Sequence, residues 1–222
     1  MKKAWVVNLL SFNGGFVDTA GFLGLQGLFT AHVTGNFVTL GAALVFGTHG
    51  VIAKLVALPE FIAVVVLARL IGAAMRAWRW PDLRILLGVK VALLLAFFLL
   101  AVRFGPFPDS DSPLALLTGF AAIAAMAIQN AVHRVHFAVL PPTTLMTGNT
   151  TQATLDAVDL LTGAAGDQAA ALRLRLSRTV RGILAFAIGC AAAAILYDAV
   201  GFWCLAVPVL VGAVSAVVRI ED

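Results

Sequence analysis

Six stretches of this chain are long and apolar enough to cross a lipid bilayer, and this restricts its fold more than any other feature. A helix spans the ~30 Å hydrocarbon layer with about 20 mainly apolar residues. Windows of that kind fall at residues 4–27, 52–75, 84–103, 114–133, 180–197 and 199–218. Composition agrees, with 61% hydrophobic and only 12% charged residues, whereas a soluble domain carries roughly a quarter charged. Soluble enzymes and nucleic-acid binders are excluded. The expected fold class is an all-α integral membrane protein of about six transmembrane helices, with the lipid bilayer as its first partner and no nucleic acid.

The cations between the windows alternate in density. Lys2 and Lys3 precede the first window, and Arg76, Arg79 and Arg84 lie between or beside the second and third. Arg134, Arg173, Arg175, Arg178 and Arg181 cluster between the fourth and fifth, and Arg219 follows the sixth. Only Lys54 and Arg103 lie on the other side, with Asp109, Asp111 and Asp198. Cytoplasmic loops are the ones rich in Lys and Arg, so both termini are expected in the cytoplasm. The net charge of +4 therefore reports orientation. Lys2 and Lys3 before an apolar run imitate a secretory signal, but Asn13 and Asp18 interrupt the stretch and it is too long for one. Cys190 and Cys204 fall within the last two windows with no paired spacing, and are expected as small packing residues.

The chain also reads as a duplication. Residues 30–40 are TAHVTGNFVTL and residues 143–153 are TTLMTGNTTQA, so Thr-Gly-Asn recurs 113 residues on, half the chain. Chance places about 0.03 such triplets in a chain of this composition. Each copy follows the first window of its half, giving repeats of about 1–105 and 112–222 in a single membrane domain. Three windows per half is an odd number, so the second half enters the membrane from the opposite face. Such inverted repeats are typical of secondary transporters, whose substrate sites lie near the midplane at the repeat interface.

The triplets suit broken or re-entrant segments. Gly35 and Gly148 allow the backbone to leave helical geometry, while the side chains of Thr34, Asn36, Thr147 and Asn149 are able to cap the helix that follows. Irregular backbone survives at membrane depth only if it is buried in protein or lines a wet cavity. Helix N-termini aimed into the break favour an anionic or strongly polar solute. The competing reading is a turn that starts an interfacial helix.

The runs GGFVDTAGFLGLQGLFTAHVTGNFVTLG and AMAIQNAVHRVHFAVLPPTTLMTGNTTQATLD resemble the YoaK family of bacterial inner-membrane proteins, a domain of unknown function. The resemblance rests on Asp18, Gly21 and Phe29 to Asn36 in one half, and on Gln129, Asn130 and Thr144 to Asn149 in the other. It implies a six-span fold in the bacterial cytoplasmic membrane. It carries no activity.

Ionisable residues at bilayer depth cost at least ~2.5–3.5 kcal/mol each, so each needs a partner or a task. Asp18, mid-window among Gly14, Gly15, Gly21, Gly24 and Gly27, is a candidate proton or cation coupling site or a structural hydrogen-bonding group. His32, which titrates ordinarily near neutrality, is its companion candidate. Gln129 and Asn130 occupy the corresponding place in the second half and read equally as substrate-binding or helix-contact residues. His133 and His136 beside Arg134 read as an interfacial face. Arg69 is expected to snorkel or pair, and Glu60 to pair with Lys90. The alanines at 191–194 beside Gly189 are a close-packing face, within the bundle or in a homodimer.

The function expected is a secondary transporter or permease for a small polar or anionic solute, with Thr34, Gly35, Asn36, Thr147, Gly148, Asn149, Gln129 and Asn130 lining the solute site and Asp18 and His32 coupling. No cofactor or metal is expected. The alternatives are a channel, an intramembrane enzyme, or a sensory or assembly subunit. The sequence has no Walker A, GxSxG or HExxH motif, so an enzyme is not expected.

Overall fold

The computed structural model describes residues 3–47 and 50–218; Lys2 and Arg219, counted above among the flanking cations, lie outside them. Among the described residues every regular element is helical. In chain order they are α1 (Lys3–Gly24), α2 (Gly35–Phe46), α3 (Val51–Ala77), α4 (Asp82–Phe104), α5 (Pro113–His136), α6 (Met146–Thr162), α7 (Ala169–Val200) and α8 (Ala206–Val217). Short 3-10 turns at Gly166–Gln168 and Gly201–Leu205 flank α7. The protein is an all-α membrane protein.

Four described stretches are long and apolar enough to cross a membrane: Val51–Ala77, Asp82–Phe104, Pro113–His136 and Gly166–Val217, the last holding both α7 and α8. The first expected window is also one helix, α1, but Asn8, Ser11, Asn13 and Asp18 make it more polar. It can be so because it is enclosed. Ser11, Asn13 and Asp18 are all buried, and the exposed large apolar side chains belong mostly to α2, α3, α4 and α7.

The helix ends differ from the windows for local reasons. α7 starts at Ala169, well before residue 180, because Leu, Ala and Arg all favour helix and the Arg-rich turn continues it past its apolar length. α8 is shorter than expected because Gly201 takes φ 58° and residues 201–205 form a tight turn. Cys204 sits in that turn, buried in the core.

The hydrogen bonds and close approaches fix the helix directions. Gln129 of α5 donates to the Leu10 carbonyl near the start of α1 at 2.8 Å, while Gly119 faces Leu25 and Leu28 just past its end. α1 and α5 are thus antiparallel. α7 runs parallel to α1, with Gly182 near Ser11, Gly15 against Phe186 and Gly24 near Tyr197. α3 packs on α5, α4 lies between α5 and α8, α2 packs on α3, and α6 packs on α7.

Two glycines make the α1–α7 seam possible. A Cβ on Gly15 would stand 2.2 Å from the Phe186 carbonyl oxygen, and one on Gly189 2.1 Å from that of Phe12. Backbone meets backbone there, which is how helices associate when no hydrophobic effect drives them together. Ala193 continues this buried face, whereas Ala191 and Ala194 point outward.

The expected Glu60–Lys90 ion pair does not form. Glu60 Oε2 and Lys90 Nζ both lack a hydrogen-bond partner, and Lys90 is fully enclosed. The reason lies in packing, since α4 turns its buried side mainly toward α5 and α8 rather than toward α3.

Candidate functional site

The connection between α1 and α2 folds back along α1. The chain reverses at Gln26 (φ 53°) and Gly27 (φ 80°), and residues 30–32 return to the level of Asp18. Asp18 Oδ1 accepts the backbone N–H groups of Thr30 at 2.8 Å, Ala31 at 2.7 Å and His32 at 3.3 Å, and the Thr30 hydroxyl at 3.4 Å. Its Oδ2 is hydrogen-bonded to His32 Nδ1 at 2.6 Å. Asp18 lies six residues before the end of α1, about 9 Å along the helix axis. A carboxylate is suited to this, since both of its oxygens only accept and its charge strengthens each bond.

Asn36 closes the same connection from the other end. Its Nδ2 donates to the Phe29 carbonyl and its Oδ1 accepts the Phe29 N–H, both at 2.8 Å. In the second half Asn149 Nδ2 donates to the Pro142 carbonyl at 2.7 Å. Both asparagines reach back seven residues. Proline has no N–H, so the reciprocal bond seen at Phe29 has no counterpart at Pro142.

The connection between α5 and α6 is held to α5 by neutral groups. Gln129 Nε2 donates to Thr143 Oγ1 at 3.1 Å as well as to Leu10, and the Thr144 hydroxyl donates to Asn130 Oδ1 at 2.7 Å. Amides here do the tethering that Asp18 does in the first half. His133 Nε2 adds a contact to the Leu140 carbonyl at 3.1 Å.

The triplets differ from expectation in their backbone. Thr34 precedes α2 without a side-chain capping bond, Gly35 is the first residue of α2, and Thr147 and Gly148 lie inside α6. Neither glycine takes positive φ. A Cβ on Gly35 would press on the Phe29 ring at 3.0 Å, while nothing lies within 4 Å of the corresponding point on Gly148. The asparagines brace the connections instead of capping helices.

Both connections border one cavity of about 450 Å³. His32 and Thr34 line it from the first connection, Thr144 and Leu145 from the second, Asn130 from α5, and Arg69, Arg76 and Arg134 from α3 and α5. Asp18, Gln129, Gly35, Asn36, Gly148 and Asn149 do not line it, and Asp18 borders a separate groove with Thr19, Phe22 and Phe29. Thr147 borders a separate groove on α6, where the hydroxyls of Thr150, Thr151 and Thr154 bond back to their own helix.

Three arginines in the wall were not expected as site residues. Arg76 pairs with Asp82, which is also approached by His136 at 3.5 Å. Arg69 and Arg134 have no carboxylate partner among the described residues. The available signal was spacing: Arg69 and Arg76 are seven apart and so share a helix face, the face that carries Leu58, Phe61 and Val65 into the cavity.

Away from the cavity, Arg175 of α7 grips Asp156 of α6, with Nε and Nη2 at 2.8 and 2.6 Å from its two oxygens. That guanidinium holds the Asp156 carboxyl below its ordinary range, and Gln152 adds a bond at 2.7 Å. This clamp ties α6 to α7.

Comparison with known proteins supplies a family but no activity. Over 98 residues the chain is 37% identical to the UPF0700 transmembrane protein YoaK of Bacillus subtilis (strain 168), an alignment covering 44% of this chain and 41% of that protein. No solved structure matches. Residues 6–218 match the profile of a family described as a protein of unknown function, DUF1275, and the chain, with its helical membrane fold, belongs to that family.

Proposed function

We propose that the protein is a secondary transporter for a small anionic solute, built as two inverted three-span repeats in the bacterial cytoplasmic membrane with both termini in the cytoplasm. The single observation that carries this reading is the cavity. Its wall is shared by the two connections and holds two arginines with no carboxylate partner among the described residues. A guanidinium at membrane depth is costly unless an anion or water meets it. Arg69 lies eight residues before the end of α3, about 12 Å along the axis, and so an anion entering the cavity is its natural partner.

The inverted arrangement is supported by the antiparallel course of α1 and α5 and by the matched asparagine bonds 113 residues apart. The same offset carries Arg69 to Gly182 and Arg76 to Gly189. On α7 those glycines face α1 across a closed seam, while on α3 the arginines face an open cavity. Alternating access then consists of closing the α3–α5 side while the opposite side opens. His32 stands between the cavity and Asp18, which makes the pair the coupling element.

The test is charge movement in proteoliposomes on a solid-supported membrane, with phosphate, acetate and benzoate as probes. Saturable transient currents for at least one anion, reduced tenfold or more by Arg69→Gln (about 1.4 kcal/mol or more), are expected. Absence of both an anion-evoked current and an anion-linked pH change inside the vesicles contradicts transport. Steady unitary conductance in planar bilayers establishes a channel instead.

A further inference from the structure

We infer that the cavity binds an amphipathic organic anion, a compact anionic head on an apolar body, rather than an inorganic anion. This rests on reading the cavity as the solute site. Polarity is distributed unevenly along its α3 wall. On α3 the lining residues run Leu58, Phe61 and Val65, then Arg69 and Arg76. From Leu58 to Arg69 is eleven residues, about 16 Å of helix. The charged groups are therefore gathered at one end of that wall, joined by Arg134 near the end of α5.

An inorganic oxyanion carries charge over its whole surface and needs donors all around to replace its water. This cavity gathers its cationic donors at one end of the α3 wall and offers hydrocarbon from Leu58, Phe61 and Val65 along the rest of that wall, with the neutral groups of Thr34, Asn130 and Thr144 and the His32 ring on the walls opposite. Its volume lies within the range of about 300–1,000 Å³ usual for small-molecule sites, so a head bound at Arg69 and Arg134 leaves room for a ring or short chain against Leu58 and Phe61. Arg76 is already balanced by Asp82. Two guanidinium groups without a carboxylate partner among the described residues suit an incoming carboxylate, which accepts paired donors in a plane.

The experiment measures thermal unfolding of the full chain in phosphatidylcholine nanodiscs, with 2-naphthoate, the uncharged 2-naphthamide and inorganic phosphate as probes. 2-Naphthoate is expected to raise the melting temperature saturably by mass action, with no shift from the amide or from phosphate. Arg69→Gln and, independently, Arg134→Gln are each expected to weaken the apparent affinity about tenfold. Two variants guard against one failing to fold. Protection by phosphate alone overturns the inference and leaves anion transport standing. Protection by the amide as strong as by the acid, or full protection in both arginine variants, overturns it as well. No protection by any anion overturns both the inference and the reading beneath it. Nanodiscs containing phosphatidylglycerol form the last arm: stabilisation that depends on Arg69 and removes the response to 2-naphthoate assigns the cavity to a lipid and also overturns the inference.

Discussion

Asn36 and Phe29 form a closed ring of two hydrogen bonds, the asparagine amide giving one and taking one across seven residues at 2.8 Å each. The pair holds ten residues without helix between α1 and α2 in one shape. Asn149 performs half of this task with Pro142.

Asn36→Ala leaves a part-buried N–H and a part-buried carbonyl of Phe29 without partners, at up to about 1–3 kcal/mol each. Asn149→Ala orphans a single carbonyl. Melting in detergent is expected to fall for both, and further for Asn36→Ala; an equal or reversed order contradicts the bracing role.

Asp18→Ala frees three backbone N–H groups at once and is expected to prevent accumulation of monodisperse protein. Asp18→Asn keeps one oxygen to accept them. That variant is expected to fold and to exchange solute, but to lose proton-driven accumulation in proteoliposomes. Retention of full proton coupling removes Asp18 and His32 from that task.

Gly189→Ala forces a methyl group onto the Phe12 carbonyl, and overpacking of this kind costs about 1–3 kcal/mol. Gly182→Ala, whose nearest neighbour is Ser11 Oγ at 3.8 Å, is expected to melt like the wild type. Similar melting of the two variants contradicts the tight seam.

Asp156 is more acidic in the folded protein than in an unfolded chain because Arg175 binds its anion. A depressed pKa stabilises the fold above the unfolded value of about 4, and this contribution is lost as the pH falls through the lower, folded value. Asp156→Asn is expected to destabilise the protein at neutral pH and to flatten the acid limb of its stability profile. An unchanged acid limb shows that the clamp does not contribute.

Much of the architecture was legible in the sequence because apolar length is itself the physical requirement for crossing a bilayer. Helices α3, α4 and α5 follow their windows closely, and Asp18 stood out as an isolated carboxyl among glycines. The tethers were less visible. A seven-residue reach from Asn36 to Phe29 has no local periodicity, and the triplets suggested caps because threonine and asparagine usually do that work. Arg69 looked like a snorkelling side chain, since nothing in a linear reading says that α5 approaches the same face of α3. Glu60 and Lys90 looked like a pair, because opposite charges in neighbouring windows do not reveal which way each helix is turned.

The central claim is that the two connections wall one anion-binding cavity. Thr34→Cys and Leu145→Cys, placed singly in a background with Cys190→Ala and Cys204→Ala, test it through their rates of reaction with a membrane-impermeant anionic thiosulfonate in sealed vesicles of known orientation. Both residues are exposed and line the cavity. Both cysteines are expected to react from the same face, with 2-naphthoate slowing them together. Reaction from opposite faces, or protection of one without the other, contradicts it.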